Sequence, residues 1–300
     1  MGQTPPMISL ATDELTVEIA PLGAELMSLR DAGAREWLWQ GDAASWPRRA
    51  PLLFPVVGRC AGGVLRHRGR TYPMTGHGFA PNGVFTRPSQ AADRCLLRLV
   101  SDEQTRASYP FDFQLDVAFR VDGNKLCQTA TVTNTGPDIM PASIGFHPGF
   151  QWPLPSVADG TPQKHVVLFA GDEPAPVKRL EGHLLSASRF PSPVEGRCLA
   201  LSHGLFAMGA VIFDRLASRS LWFGVPGSPG VQIDFPDLPH LGLWMLPGAR
   251  FLCIEPWQGH ACPEGFEGEI LAKPGMIHLA PGASFSRRLE ITVGVPPRSA

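Results

Sequence analysis

The feature that most constrains this chain is period two. Apolar residues alternate, or run unbroken at strand length, in "ELTVEIA" (14–20), "RCLLRLV" (94–100), "FQLDVAFRV" (113–121), "VVLFA" (166–170), "AVIFD" (210–214), "VQIDF" (231–235), "LGLWML" (241–246), "FLCIE" (251–255) and "FSRRLEITVGV" (285–295). Between them fall most of the 32 glycines and 31 prolines, which supply turns and interrupt helices. The chain therefore reads as all-β. Nothing alternates strand, helix, strand, and neither G-x-G-x-x-G nor G-x-x-x-x-G-K-[ST] occurs, so no parallel-sheet nucleotide site is expected. That many strands must bury both sheet faces, which favours a large sandwich of antiparallel sheets.

Local signals add detail. Asp122-Gly123-Asn124 joins "FQLDVAFRV" to "KLCQTATVT" as a hairpin, with Phe113, Leu115, Val117, Phe119 and Val121 on its buried face. The helix candidates are short, chiefly "SDEQTRAS", where Ser101 and Gln104 match a capping box and Pro110 follows the end. With no internal repeat or low-complexity linker, residues 7–295 are expected to form one domain between loose tails at 1–6 and 296–300.

Composition narrows the partners. A net charge of -1, from 26 basic and 27 acidic residues without long runs of either sign, points away from nucleic acid and anionic membranes. The start "MGQTPPMISL" carries neither a basic nor an apolar signal region, and no stretch is long and apolar enough to span a bilayer. A cytoplasmic location and a small neutral ligand are the expectation. The six cysteines lack C-x-x-C spacing and read as reduced thiols; Cys253, His260 and Cys262 are close in sequence but match no zinc pattern, so no metal is expected.

Four stretches could carry chemistry. In "ASIGFHPGFQW" (142–152), Pro148 biases His147 towards extended backbone among aromatic neighbours. There the ring is either a proton-exchanging group near neutral pH or a core histidine bonded to a carbonyl. In "FLCIEPWQG" (251–259), alternation sets Phe251, Cys253 and Glu255 on one face, with Pro256 expected to end the strand. A buried Glu255 would have a raised pKa suited to proton abstraction, unless a basic partner holds it ionised. In "TGHGFAPNG" (75–83), the glycines around His77 allow close approach to a ligand or to another strand, and Phe79 offers an apolar face. In "PLLFPVVGR" (51–59), Arg59 could clamp hydroxyls or pair with a carboxylate. Trp152, Trp244 and Trp257 lie in or near these stretches as flat apolar faces for a sugar, or as core.

Together with "YPFDFQLDVAF", "VTNTGPDIMPASIGFHPGF", "FDRLASRSL" and "LGLWMLPGARFLCIEPWQG", these stretches resemble, in order and over nearly the whole chain, the aldose 1-epimerase (galactose mutarotase) family, most closely its LacX-like branch. The resemblance implies a galactose-mutarotase-like supersandwich with a sugar cleft, a small-molecule aldohexose as ligand and no cofactor. It implies that Glu255 takes the proton of the anomeric hydroxyl, that His147 protonates the ring oxygen, and that the two flank the sugar. It further implies that His77 and Arg59 hold sugar hydroxyls, with Phe79, Trp244, Trp257 and Asp234 as further binding candidates. One departure stands out: "GLFAMGAVIF" (204–213) offers no carboxylate where better-known members carry a sugar-binding aspartate, leaving Asp214 or Asp234 as substitutes. Rival readings are a non-catalytic sugar-binding module on the same cleft, a glycoside hydrolase, which needs a second carboxylate, and a cupin-like metal enzyme, which needs a His-x-His.

Overall fold

The computed structural model of the chain describes residues 6–157 and 164–298. Antiparallel sheets dominate it. One sheet has nine strands, in the spatial order 198–200, 166–169, 220–224, 230–234, 284–295, 125–134, 113–122, 94–100 and 86–90. The other large sheet has six: strands 211–213, 240–244, 251–258, 144–146 and 52–53 in that order, with 149–151 also pairing onto 251–258. A three-stranded sheet comprises 8–11, 15–20 and 25–31.

The expected hairpin is present: Lys125 pairs with Asp122 across a turn in which Gly123 takes φ +55°. All five alternate residues from Phe113 to Val121 are buried. They join one large apolar core with residues of the six-stranded sheet. Aromatic pairs cross between the layers: Phe169 lies 5.4 Å from Phe213, and Phe150 6.5 Å from Phe223. At roughly 25 cal/mol per Å² of apolar surface, burial of this kind is the main term favouring the sandwich.

Two expectations shift in detail. The helix spans Glu103–Ser108, and its capping box is built by Asp102 and Thr105, one residue further along than Ser101 and Gln104. Asp102 accepts from the Thr105 N–H while the Thr105 hydroxyl accepts from the Asp102 N–H, so a neighbouring Asx cap wins over serine. Of the two expected tails, residues 1–5 and 299–300 lie outside the described residues, whereas Arg298 is bonded to Asp234.

The six-stranded sheet has a second face. Leu53, Ile212 and Trp257 point away from the nine-stranded sheet into a smaller apolar cluster, opposite in sense to Leu52, Val211 and Phe213. Among the described residues, no helix is long and apolar enough to cross a membrane.

Candidate functional site

On that outer face lies an open cleft of about 780 Å³. Its floor is built by strand register. Strand 251–258 pairs with 144–146 at one end, Gly145 opposite Trp257, and with 149–151 at the other, Gly149 opposite Cys253. The register runs through without a slip, so His147 and Glu255 stand directly opposite each other in the unpaired gap between. Their side chains meet, His147 Nε2 lying 3.1 Å from Glu255 Oε2.

Pro256 does not end its strand, as the sequence suggested; it stays in the ladder opposite Leu241. The physical reason lies in which side its nitrogen faces. Ile254 donates its N–H to the Pro148 carbonyl, so the even-numbered backbone groups of this strand face the 146–148 side. The absent N–H of Pro256 therefore falls in the gap and costs the Leu241 pairing nothing.

Both groups are nearly closed off from bulk water, His147 at 7% and Glu255 at 2% exposure, yet both line the cleft. Burial pushes the Glu255 carboxyl well above the usual carboxylate range, with a smaller opposing pull from the Trp257 indole N–H. Burial, and then nearby His77, holds the His147 imidazole well below its usual value. Both displacements favour the uncharged forms, a protonated Glu255 beside a neutral imidazole; moving that proton to His147 gives a carboxylate beside an imidazolium at the same proton count. His147 Nδ1 and Trp257 Nε1 are buried without a hydrogen-bond partner of good geometry.

The surroundings fix these groups in place. Trp46 stacks on the His147 ring with centroids 5.0 Å apart, and Trp244 meets it edge-on at 5.9 Å. The Trp257 indole fits a slot made by two glycines on flanking strands: an added Cβ would lie 2.5 Å from it at Gly145 and 2.3 Å at Gly242. Trp244 and Trp257 thus line the cleft, whereas Trp152 is core, packed on His203 and Phe206.

His77 sits on a tight turn with φ +65° and lines the cleft. Gly58 donates its N–H to His77 Nδ1 at 3.3 Å, which leaves the ring proton on Nε2 as a donor. Desolvation, with help from Arg59, pushes its pKa down to about 4, so at neutral pH it is an uncharged donor. The glycine after it serves strand contact: a Cβ at Gly78 would meet the Phe54 carbonyl at 2.0 Å. Arg59 is exposed on the cleft wall, laid across Gly76.

Two expected binding residues are elsewhere. Phe79 packs into the core against Phe113, 5.7 Å away, and Phe54, 5.9 Å away, and is absent from the cleft lining; an aromatic beside glycine serves packing as readily as a ligand. Asp234 ends a strand of the nine-stranded sheet and forks onto Arg298 at 2.7 and 3.0 Å, outside the cleft. Asp214 is likewise held by Arg189, at 2.7 Å. Among the described residues, Glu255 is the one carboxylate lining the cleft. Nothing replaces the missing aspartate in kind.

Among the lining residues that escaped the sequence reading are Trp46, Arg48 and Asn82. Trp46 and Arg48 come from "SWPRRA", a connecting segment without periodicity. Their only signal is an indole beside two arginines. Arg48 is held by Glu25 at 3.1 Å and the Pro81 carbonyl at 2.9 Å, and it also bonds Asn82, the third of these residues.

For metals, His147, Cys253 and Glu255 are the one trio among the described residues whose donor atoms lie within 4.8 Å of one another. Burial holds the Cys253 thiol well above its usual value, hence protonated, which makes it a poor ligand as it stands. Cys253, His260 and Cys262, close in sequence, form no such trio.

The family model for aldose 1-epimerase matches residues 6–292. The plasmid-borne protein LacX of Lactococcus lactis subsp. lactis is 30% identical over 298 residues, covering 95% of this chain and 99% of its own. A galactose mutarotase related enzyme from Lactobacillus acidophilus superposes with TM-score 0.90 at 28% identity, covering 98% of this chain and 100% of that one. The galactose 1-epimerase of Lactobacillus acidophilus NCFM, at 12% identity, shares the fold with TM-score 0.67 over 96% of this chain and 94% of its own.

Proposed function

Because the chain belongs to the aldose 1-epimerase family, we propose that it interconverts the α and β anomers of an aldose by acid/base ring opening and reclosure. The observation that carries the reading is the His147–Glu255 contact on the floor of a sugar-sized cleft.

Opening a hemiacetal requires a proton to leave the anomeric hydroxyl and another to reach the ring oxygen. These two oxygens share one carbon, so a donor and an acceptor standing side by side can serve both. His147 and Glu255 are neighbours, so in this reading they act from one side of the sugar rather than flank it. The pair needs one proton between them; their opposed shifts favour placing it on Glu255 beside a neutral imidazole, so the charged form that starts the reaction is reached by passing that proton across the 3.1 Å contact. In the family's assignment, Glu255 as carboxylate removes the hydroxyl proton and His147 as imidazolium protonates the ring oxygen. Opening leaves the protonated carboxyl beside neutral imidazole. Rotation about C1–C2 and reclosure with the roles exchanged restore the starting form and release the other anomer.

Around the pair, His77 Nε2–H and Arg59 supply donors to hydroxyls, and Trp46, Trp244 and Trp257 supply apolar faces. The buried Trp257 Nε1 and His147 Nδ1, neither with a hydrogen-bond partner of good geometry, suit a polar ligand. A glycoside hydrolase finds no support, since among the described residues the cleft has no second carboxylate.

The test dissolves crystalline α-anomers of several aldoses and follows anomer exchange by NMR or polarimetry. Wild type is expected to accelerate at least one sugar. Glu255→Gln and His147→Ala are each expected to lose roughly 10²–10⁴-fold, the usual yield of general acid or base catalysis. Sugar binding without acceleration would favour the binding-module reading, and variants as fast as wild type would overturn the roles.

A further inference from the structure

Behind the Arg59 wall of the cleft stands a second group of reactive side chains that anomer exchange does not use. Cys60 and Cys262 are both buried free thiols, and both line one small pocket together with Lys273. The segments carrying them are tied to each other. Cys262 donates its N–H to the Arg59 carbonyl at 2.9 Å, and Gly58 lies so close to Ala261 that a Cβ there would fall 2.5 Å from its methyl group.

Lys273 is 3% exposed. Its Nζ donates to the His260 carbonyl at 2.6 Å, and no carboxylate partners it among the described residues. An ammonium buried without a counter-charge is costly, and the two thiols are the acids lining its pocket. One proton fewer on the thiol pair turns this cost into an attraction. The facing Cys60 thiol as donor, and then the Lys273 charge and the Ala61 N–H, lower the Cys262 pKa, while Cys60 is raised. Cys60 also borders a larger recess of about 480 Å³, beside Arg59 and Gly76, whose lining does not include Cys262, so the side of the pair that faces open space is the Cys60 side.

We propose that Cys60, Cys262 and Lys273 form a modification site that a small hydroperoxide oxidises to a Cys60–Cys262 disulfide. A thiolate beside a cation and next to a resolving thiol is the arrangement that reacts this way. With hydrogen peroxide, the Cys262 thiolate attacks one peroxide oxygen, the O–O bond breaks, and the departing hydroxide takes a proton to leave as water. Cys262 is then a sulfenic acid. Cys60 sulfur attacks Cys262 sulfur, the S–O bond breaks, and hydroxide leaves with the Cys60 proton as a second water. In sum, two thiols and one peroxide give one disulfide and two waters; the sulfurs are oxidised and the peroxide reduced. The new bond would join the residues that directly follow Arg59 and Ala261, two residues that line the cleft.

The experiment treats the reduced full-length protein with hydrogen peroxide and maps the products by mass spectrometry without reduction, a readout independent of any sugar activity. A linked Cys60–Cys262 peptide is expected before any oxidation of the half-buried Cys127 or Cys198. Cys60→Ser is expected to stop at a sulfenic acid on Cys262, captured by dimedone, and Lys273→Met to slow the reaction at least about tenfold. Should Lys273→Met fail to fold, the order of reaction among the wild-type thiols still decides. Reaction of Cys127 or Cys198 ahead of Cys262, or dimedone capture on Cys60 in Cys262→Ser at the wild-type rate, would overturn the proposal.

Discussion

Replacing Gly242 with alanine adds one methyl group against the Trp257 indole that lines the cleft. Gly242 is in register with Glu255, and the added carbon would lie 2.3 Å from Trp257 Cη2 and 2.5 Å from Cζ2. Ordinary contact begins near 3.4 Å, so the indole has to withdraw by about 1 Å. It cannot slide towards the opposite strand, because its Cδ1 already occupies the gap left by Gly145. What remains open to it is the cleft, beside the Glu255 carboxyl that its N–H helps to keep ionisable. Overpacking of this kind costs roughly 1–3 kcal/mol, and a shift of about 1 Å among positioned groups can cost on the order of 10²-fold in rate. Gly242→Ala is therefore expected to lower kcat/KM by about 10²-fold in an NMR anomer-exchange assay and to unfold at lower urea concentration. Gly171→Ala is the control, since no atom lies within 4 Å of the added carbon and its φ is unstrained; it should behave as wild type. A Gly242→Ala protein that is destabilised but keeps its activity would refute the link from Trp257 to Glu255. One indistinguishable from wild type in both would refute the slot itself.

Asp234→Asn should leave anomer exchange unchanged, because Asp234 serves Arg298 outside the cleft, and should cost less than about 1 kcal/mol in urea melts, given an arginine side chain 62% exposed. Asp102→Ala should destabilise by about 1 kcal/mol through loss of the helix cap, whereas Ser101→Ala should stay within about 0.5 kcal/mol, as measured by denaturant unfolding. His240 accepts from the Gly259 N–H, and burial, then His260, pushes its pKa down to about 4. A lowered folded value means the unfolded chain binds the proton first, so this contribution is complete above pH 6.5 and is lost as pH falls towards 4. Urea melts at pH 7 and pH 5 should thus show wild type losing on the order of 1–2 kcal/mol more than His240→Asn; an equal loss in both proteins would exclude His240 as a source.

Strand identity was legible because a half-buried strand writes its burial into alternate residues, and the segments read as strands are strands. Strand order was not. The C-terminal strand 284–295 lies in the middle of the nine-stranded sheet, between 230–234 and 125–134, and nothing local to any of the three says so. Partnership of this kind is chosen by matching apolar faces across 56 residues of chain for Asp234 with Glu290 and 167 for Lys125 with Thr292. Caps fail for a different reason: Ser101 and Asp102 both offer an oxygen to the first turn, and a one-residue choice between them depends on where the preceding strand releases the chain. Trp46 and Arg48 were hidden because a connecting segment has no period to mark one side as facing a cleft. Phe79 and Asp234 misled because the same residue types serve packing and surface pairing, and only the three-dimensional neighbours separate these uses.

His147 and Glu255 were legible, and the register gives the reason. Each stands just before a proline, in "FHP" and "IEP", Glu255 within its strand and His147 between strands 144–146 and 149–151, and the chains run antiparallel there with the two residues opposed. A proline in each partner removes a donor from the same stretch of ladder, so the backbones there hold each other at the flanking glycine pairs and leave a gap between. A gap in a buried sheet would ordinarily expose unsatisfied groups to an apolar interior. Here two N–H groups are absent by chemistry, those of Pro148 and Pro256, and the Pro148 carbonyl is met by the Ile254 N–H. The features that made the two stretches look odd as core strands, a titratable residue and a proline among aromatics, are thus one arrangement seen from its two sides. Removing either proline should tighten the ladder and draw His147 and Glu255 into fixed backbone positions, so a Pro148→Ala protein is expected to gain or keep stability while losing anomer exchange. A Pro148→Ala protein that is fully active would mean that the pair owes its reactivity to burial alone.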